Sequence, residues 1–356
     1  MRVPARTSLA LHERGGLERS PDGDTMTGFI LRRIVYTLPT LVMISFLSFV
    51  VINAPPGDYM TSMIGTLTSQ AGLTPSEARA VVQQQREAYG LDRPFMARYW
   101  TWVTGIVTRG DFGFSFTYRR PVGEVIWARL GMTLLVALLS HALSVVVGVL
   151  IGIYSATHRN SVSDNVFTVF AFLGLSIPNF FLALLIMYVL VFQFGQHVGG
   201  FFSPQYVMAP WSWDRLIDFL KHLWVPVLVV GLAGTARNMR VMRANLLDVL
   251  NSNYVRTARA KGLVERKVIY KHAVRNAIQP IIMYLGVAMP FLLSGEIVTS
   301  AVLNLPTMGP VFLNALITQD MYMAGSFLML LAVVLVISNL LADIALGWVD
   351  PRITYD

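Results

Sequence analysis

The chain has 356 residues, no cysteine, 54% hydrophobic and 13% charged residues, and a mean hydropathy of +0.57. So few polar residues cannot cover a globule in water, which excludes a soluble protein, and the lack of cysteine excludes disulfides and thiolate metal sites. The net charge of +8 does not indicate nucleic-acid binding, because the positive charge is concentrated in one segment between apolar runs and no aromatic-basic motif is present.

The N-terminal part consists of a polar tail followed by an apolar run. Residues 1–27 carry mixed charges without an apolar core, which predicts a disordered cytoplasmic tail and not a signal peptide, or an upstream extension if Met26 is the true start. The stretch 34–57 is uncharged and long enough to cross a bilayer. We therefore predict the first transmembrane helix at 28–53.

A region outside the membrane is predicted at 54–129. Within it, Thr74 and Pro75 followed by Glu77 are typical of the start of a helix, since they supply an N-cap, a first-turn proline and a first-turn acid.

Residues 130–348 are predicted to form a five-helix transmembrane core, and 349–356 a cytoplasmic tail. Glycines and prolines separate the apolar runs, and the fourth helix is expected to continue past Arg237 with that side chain reaching the membrane interface. With the first span, this predicts an all-α integral membrane protein with about six transmembrane helices. The five core runs are 130–154, 165–194, 222–236, 276–302 and 321–348.

Loop charges predict the orientation of the bundle. The segment 237–275 holds ten Lys or Arg against Asp248 and Glu265. The positive-inside rule therefore places both termini and the loop 237–276 in the cytoplasm, and 54–129 outside.

The cytoplasmic segment 251–280 reads NSNYVRTARAKGLVERKVIYKHAVRNAIQP. The pattern predicts two short helices separated at Gly262, which occupies a position that needs a positive φ. In the second helix Val264, Val268 and His272 are expected on one side. A basic stripe of Lys267, Lys271 and Arg275, spaced at i, i+4 and i+8, is expected on another. The residues alone leave two interpretations open: a surface on which another protein docks, or a basic loop on lipid headgroups.

Motifs along the chain resemble those of a known transporter family. Residues 256–263 (RTARAKGL), followed by His272 and Arg275-Asn276, are similar to the cytoplasmic coupling loop of binding-protein-dependent ABC importer permeases of the dipeptide/oligopeptide branch. They depart from the general EAA pattern of that loop. Further stretches match the larger, first-type permease of the branch: FILRRIVY at 29–36, PGD at 56–58, YGLDRP at 89–94, RGDFG at 109–113, SIP at 176–178 and DPR at 350–352.

The resemblance implies a type I ABC importer permease fold in a bacterial inner (cytoplasmic) membrane, with a multi-pass topology. The implied partners are a second permease subunit, one or two ABC ATPase subunits, a periplasmic or lipid-anchored substrate-binding protein and membrane lipid. The chain itself has no G-x-x-x-x-G-K-[ST] loop, so it is expected not to be an enzyme and to need no cofactor, with ATP and Mg bound by the ATPase subunits. The residues implied to couple to the ATPases are Arg256, Thr257, Ala258, Arg259, Ala260, Lys261, Gly262, Leu263, His272 and Arg275.

The resemblance further implies import of peptides by alternating access. Oligosaccharides and nickel are alternative cargoes for the same machinery. An ion-coupled secondary transporter is an alternative of a different class, which would require paired intramembrane carboxylates and related halves.

Four residues within the spans are candidates for the translocation path: Ser176, Asn179, Met289 and Glu296. A carboxylate at membrane depth faces a cavity or a partner, and for Glu296 a structural bond to the following loop (303–309) is favoured over a contact with a cationic substrate group. His141 is expected to be neutral and bonded to a neighbouring helix. Pro178 and Pro290 are expected to kink their helices. No metal-ligand spacing is present.

Overall fold

The computed structural model describes residues 26–196 and 199–349, so that most of the tails predicted at 1–27 and 349–356 lies outside the described residues. The chain contains a π-helical turn, Val268–Ala273, and a 3-10 turn, Pro204–Tyr206. Strands β1 (Phe114–Ser115) and β2 (Arg120–Pro121) form an antiparallel pair. The helices are α1 (Met26–Asn53), α2 (Tyr59–Gln70), α3 (Pro75–Ala88), α4 (Phe95–Arg109), α5 (Val122–Thr157), α6 (Val162–Ser176), α7 (Asn179–Phe194), α8 (Trp213–Leu250), α9 (Asn253–Ala260), α10 (Glu265–Lys267), α11 (Val274–Ala277), α12 (Gln279–Val302), α13 (Met308–Ile317) and α14 (Met321–Val349).

Five helices in the described ranges are long and apolar enough to cross a membrane: α1, α5, α8, α12 and α14. Helices α6 and α7 bend by 106° and supply a sixth crossing if they act as one broken span. The span predicted at 165–194 is thus divided at Pro178, the proline that was expected to kink it. Pro178 lacks an N–H group and favours an extended residue before it, and Ile177 is extended. The all-α membrane fold with about six spans is confirmed.

Several helices extend beyond the apolar runs that predicted them. Helix α5 begins at Val122 instead of residue 130, and α8 continues to Leu250, so the first part of the loop predicted at 237–276 is helical. The 38 residues of α8 measure about 57 Å at 1.5 Å per residue. This length exceeds the roughly 30 Å hydrocarbon core. Helix α13 likewise occupies part of the loop expected after the fifth span.

Helices α5 and α8 run side by side through glycine contacts. A Cβ atom added to Gly148 would lie 2.8 Å from the Thr235 carbonyl oxygen, and one added to Gly152 would lie 2.7 Å from Met242 Cβ. The two glycines are one turn apart on α5, a spacing that lets helix backbones approach closely in a membrane. Helices α5 and α8 therefore form the centre of the core.

The region between α1 and α5, which was predicted to lie outside the membrane and is here called the outer region, contains α2, α3, α4 and the β1–β2 hairpin, and it rests on the start of α14. The predicted helix start at Thr74 is confirmed, because the Thr74 side chain and Glu77 form a capping box. Asp320 is fully buried just before α14 and accepts hydrogen bonds from Ser115 Oγ at 2.6 Å and the Thr117 N–H at 3.1 Å. The hairpin is thereby fixed to the transmembrane core.

Candidate functional site

The segment between α8 and α12, here called the coupling segment (residues 251–278), packs on the C-terminal ends of α5 and α8. Its apolar residues share one cluster with residues of those two helices and with the start of α12. The buried members are Val149, Ile153, Ala156, Met242, Leu246, Val255, Ala258, Val268, Ala273, Ala277 and Ile281. The segment is therefore attached to the transmembrane helices by a continuous apolar core.

Some of the predicted coupling residues face the apolar cluster, here called the inner face of the segment, and the others are exposed on its outer face. Ala258 is 7% exposed, and Leu263 packs against the cluster. His272 is half-buried. The exposed members are Arg256, Thr257, Arg259, Ala260, Lys261, Gly262 and Arg275.

The sequence predicted Val264 on the same side as Val268, but Val264 does not lie on the buried side. It is 74% exposed, whereas Val268 is fully buried. The reason is that Val264 is the N-cap of α10 and precedes the helix whose spacing it was expected to follow. Together with Ala260 and Gly262 it forms an outer surface of small and apolar side chains beside the basic ones.

Gly262 ends α9 in the left-handed conformation that the sequence predicted, with φ of +74°. Its N–H donates to the Arg259 carbonyl oxygen at 2.9 Å, which closes the last turn. A Cβ atom added here would meet nothing within 4 Å. Within this chain, glycine is thus required by backbone conformation and not by lack of space.

An ion pair spans the turn at Gly262. Arg259 Nη2 lies 2.6 Å from Glu265 Oε1, and both side chains are about half exposed. The guanidinium of Arg259 lowers the pKa of Glu265, which keeps this carboxylate ionised at neutral pH. Sequence reasoning missed this pair, although the opposite charges flank a predicted turn.

A second contact joins the ends of the coupling segment. The Asn276 side-chain amide donates to the Tyr254 hydroxyl at 2.8 Å.

The predicted basic stripe is exposed but is not regular. Lys267 and Lys271 are exposed, like Arg275, but the π-helical turn between α10 and α11 alters the i, i+4 spacing on which the predicted stripe depended.

A cavity of about 180 Å³ lies within the core, with walls from α5, the α6–α7 break, α8 and α12. Most of its lining is apolar. The polar groups in its walls are His141, Ser144, Asn179, Arg237, Asn238 and Tyr284.

Of the four candidates for the translocation path, Asn179 lines this cavity and the other three lie elsewhere. Ser176 is exposed, and its hydroxyl donates to the Phe172 carbonyl oxygen of its own helix at 2.8 Å. Met289 is buried in an apolar cluster with Ala137 and Leu293.

Glu296 is 1% exposed, and its Oε1 accepts a hydrogen bond from Ser300 Oγ at 2.8 Å. No hydrogen-bond partner is present among the described residues for Glu296 Oε2 or for Thr307 Oγ1, in the loop between α12 and α13. The carboxylate therefore bonds within its own helix, and the bond to the following loop that was favoured from sequence is not observed. The other expectation, a bond from His141 to a neighbouring helix, is not met at Nδ1, which has no hydrogen-bond partner among the described residues.

Comparisons with known proteins cover almost the whole chain. The family model described as "Binding-protein-dependent transport system inner membrane component" matches residues 148–355, and the model of the corresponding N-terminal part matches 26–137. The oligopeptide transport system permease protein AppB of Bacillus subtilis is 37% identical over 331 residues, which are 93% of this chain and all of that protein. The glutathione transport system permease protein GsiC of Escherichia coli K12 is 31% identical over 330 residues, which are 93% of this chain and all of that protein.

Proposed function

Since this chain belongs to the family of inner membrane components of binding-protein-dependent transport systems, we propose that it is the permease subunit of an ATP-driven importer of peptides. The family resemblance inferred from residues 256–263 and from the other motifs is thereby confirmed. The observation that carries the proposal is the similarity over the full length of permeases whose names specify oligopeptide and glutathione transport.

The coupling segment supports docking of an ATPase subunit at the inner side. Its outer face combines exposed backbone at Gly262 with the small side chain of Ala260 and the charges of Arg256 and Lys261. Small residues allow another protein to approach closely, and the charges favour an acidic partner surface.

The inner face of the segment provides the mechanical connection. Val255 and Ala258 share a cluster with Met242 and Leu246 of α8 and with Ile281 of α12. Because packed cores move as units, displacement of the segment by an ATPase would move the inner ends of α8 and α12. Both helices line the cavity, so this movement would open or close it in alternating access.

The remaining parts of the machine belong to other chains. ATP and Mg would be bound by one or two ATPase subunits, since the sequence has no phosphate-binding loop. A second permease would complete the translocation path, and a periplasmic or lipid-anchored binding protein would deliver the substrate. The charge of residues 237–275 supports an orientation in the inner membrane with both termini in the cytoplasm.

The test is to purify the tagged chain from membranes and identify what accompanies it. We expect a second permease and one or two ATPases, and ATP-dependent uptake of radiolabelled trialanine when the complex and its binding protein are reconstituted in liposomes. Uptake of a labelled oligosaccharide or of nickel in its place would change the substrate class. Uptake driven by an ion gradient without ATP would overturn the proposal.

A further inference from the structure

Arg237 is the basic group in the wall of the core cavity. Its guanidinium stacks over the ring of Tyr284, 4.9 Å from the ring centre, and donates a hydrogen bond to the Tyr284 hydroxyl. The contact joins α8 to α12, and both residues line the cavity. The sequence had predicted that this side chain reaches the membrane interface.

The cavity offers this cation no protein carboxylate. Its lining contains no Asp or Glu, and no salt bridge to Arg237 is present among the described residues. The lining also includes the neutral polar residues His141 and Asn179. Arg237 is an exposed residue, so its guanidinium is accessible to an incoming anion, and these neutral polar groups add hydrogen-bonding capacity for that anion.

We propose that this cavity binds the carboxylate of the transported substrate, with Arg237 as its counter-ion. The proposal rests on the proposed function, because every unmodified peptide carries a terminal carboxylate. A volume of about 180 Å³ equals roughly six water molecules at about 30 Å³ each. It accepts a terminal residue and leaves the rest of a peptide to extend past Phe291, which lines the cavity and is 66% exposed.

The same guanidinium chemistry would also bind a lipid phosphate, and the experiment separates the two sources. Since the chain has no cysteine, Ala233→Cys introduces a single thiol in the cavity wall, one helical turn from Arg237. In the purified importer in nanodiscs, the labelling rates of this thiol by an anionic and by a cationic methanethiosulfonate are measured by mass spectrometry of this chain. The ratio of the two rates reports the local electrostatic potential.

We expect the anionic reagent to be favoured, and we expect Arg237→Gln to lower the ratio by about fivefold or more. Arg240→Gln is the matched control, because Arg240 lies on the same helix and over an aromatic ring, that of Phe172, but outside the cavity. A ratio that Arg237→Gln leaves unchanged, or a thiol that neither reagent reaches, would overturn the proposal.

Two additions identify the anion. Millimolar trialanine should slow labelling by the anionic reagent at least threefold, and trialanine amide, which lacks the carboxylate, should not. If replacing phosphatidylcholine by phosphatidylglycerol in the nanodiscs lowers the rate ratio when Arg237 is present and much less in the Arg237→Gln variant, the occupant is a lipid headgroup and the proposal is wrong; a decrease that is equal in both reflects only the surface potential of the bilayer. These measurements need no transport, so their failure is distinct from failure of the importer to take up peptide.

Discussion

Arg243 of α8 binds both carboxylate oxygens of Asp164 at the start of α6, with Nε and Nη2 each 2.8 Å from an oxygen. Asp164 is 1% exposed and also accepts the Asn160 N–H at 3.0 Å. The pair therefore fixes the loop between α5 and α6 to the inner half of α8, close to the coupling segment.

Removing this pair is expected to destabilise the protein. Asp164→Asn should cost about 2–3 kcal/mol, less than the roughly 3–5 kcal/mol of a fully buried pair, because Arg243 is 29% exposed. The thermal unfolding midpoint in detergent measures the loss. Asp248→Asn, an exposed site on the same helix, is the control, and equal midpoints for the two variants would contradict this role.

Gly262→Val is expected to uncouple transport without loss of the protein from membranes. A branched L residue at φ of +74° costs about 1–2 kcal/mol in backbone strain, and its side chain would project from the proposed docking surface. Peptide uptake should fall at least tenfold. ATPase subunits should dissociate or hydrolyse ATP without responding to the loaded binding protein.

Gly195→Val provides the matched control for that variant. Gly195 also ends a helix, with φ of +62°, and an added Cβ atom there would likewise meet nothing within 4 Å. It carries similar strain at the opposite end of the protein, so uptake should remain near normal. Normal transport by Gly262→Val with its ATPases attached would instead favour the lipid-headgroup interpretation, which predicts sensitivity to joint neutralisation of Lys267, Lys271 and Arg275.

Close packing of α5 on α8 predicts that a single methyl group disrupts the core. In Gly152→Ala the new Cβ atom would lie 2.7 Å from Met242 Cβ and 2.8 Å from the Met239 carbonyl oxygen. The expected cost is about 1–3 kcal/mol, seen as a lower unfolding midpoint. Gly131→Ala on the same helix has nothing within 4 Å and should leave the midpoint unchanged or raise it.

The orientation can be tested in intact cells with introduced thiols. Ser69 is exposed in the outer region, and Asn251 is exposed at the inner end of α8. Ser69→Cys should react with a membrane-impermeant maleimide from outside, and Asn251→Cys only after the cells are opened. The reverse pattern would invert the topology that loop charges predict.

The sequence by itself determined features that depend on local composition. Uncharged runs predicted the membrane spans because the bilayer core excludes charge over a fixed thickness. The turn at Gly262 could be predicted because glycine readily adopts the positive φ that such a turn needs. Clustered Lys and Arg in 237–275 predicted sidedness, and the motif order predicted the family.

Only the tertiary structure decided features that join distant positions. Asp164 pairs with Arg243, and the cavity brings His141, Asn179 and Tyr284 beside Arg237, although these residues lie on separate helices. No local pattern encodes such pairs, because they depend on how the helices are arranged. Helix ends escaped prediction for a related reason: backbone hydrogen bonding continues past the point where hydrophobicity ends, as in α5, which begins at Val122 and not at residue 130.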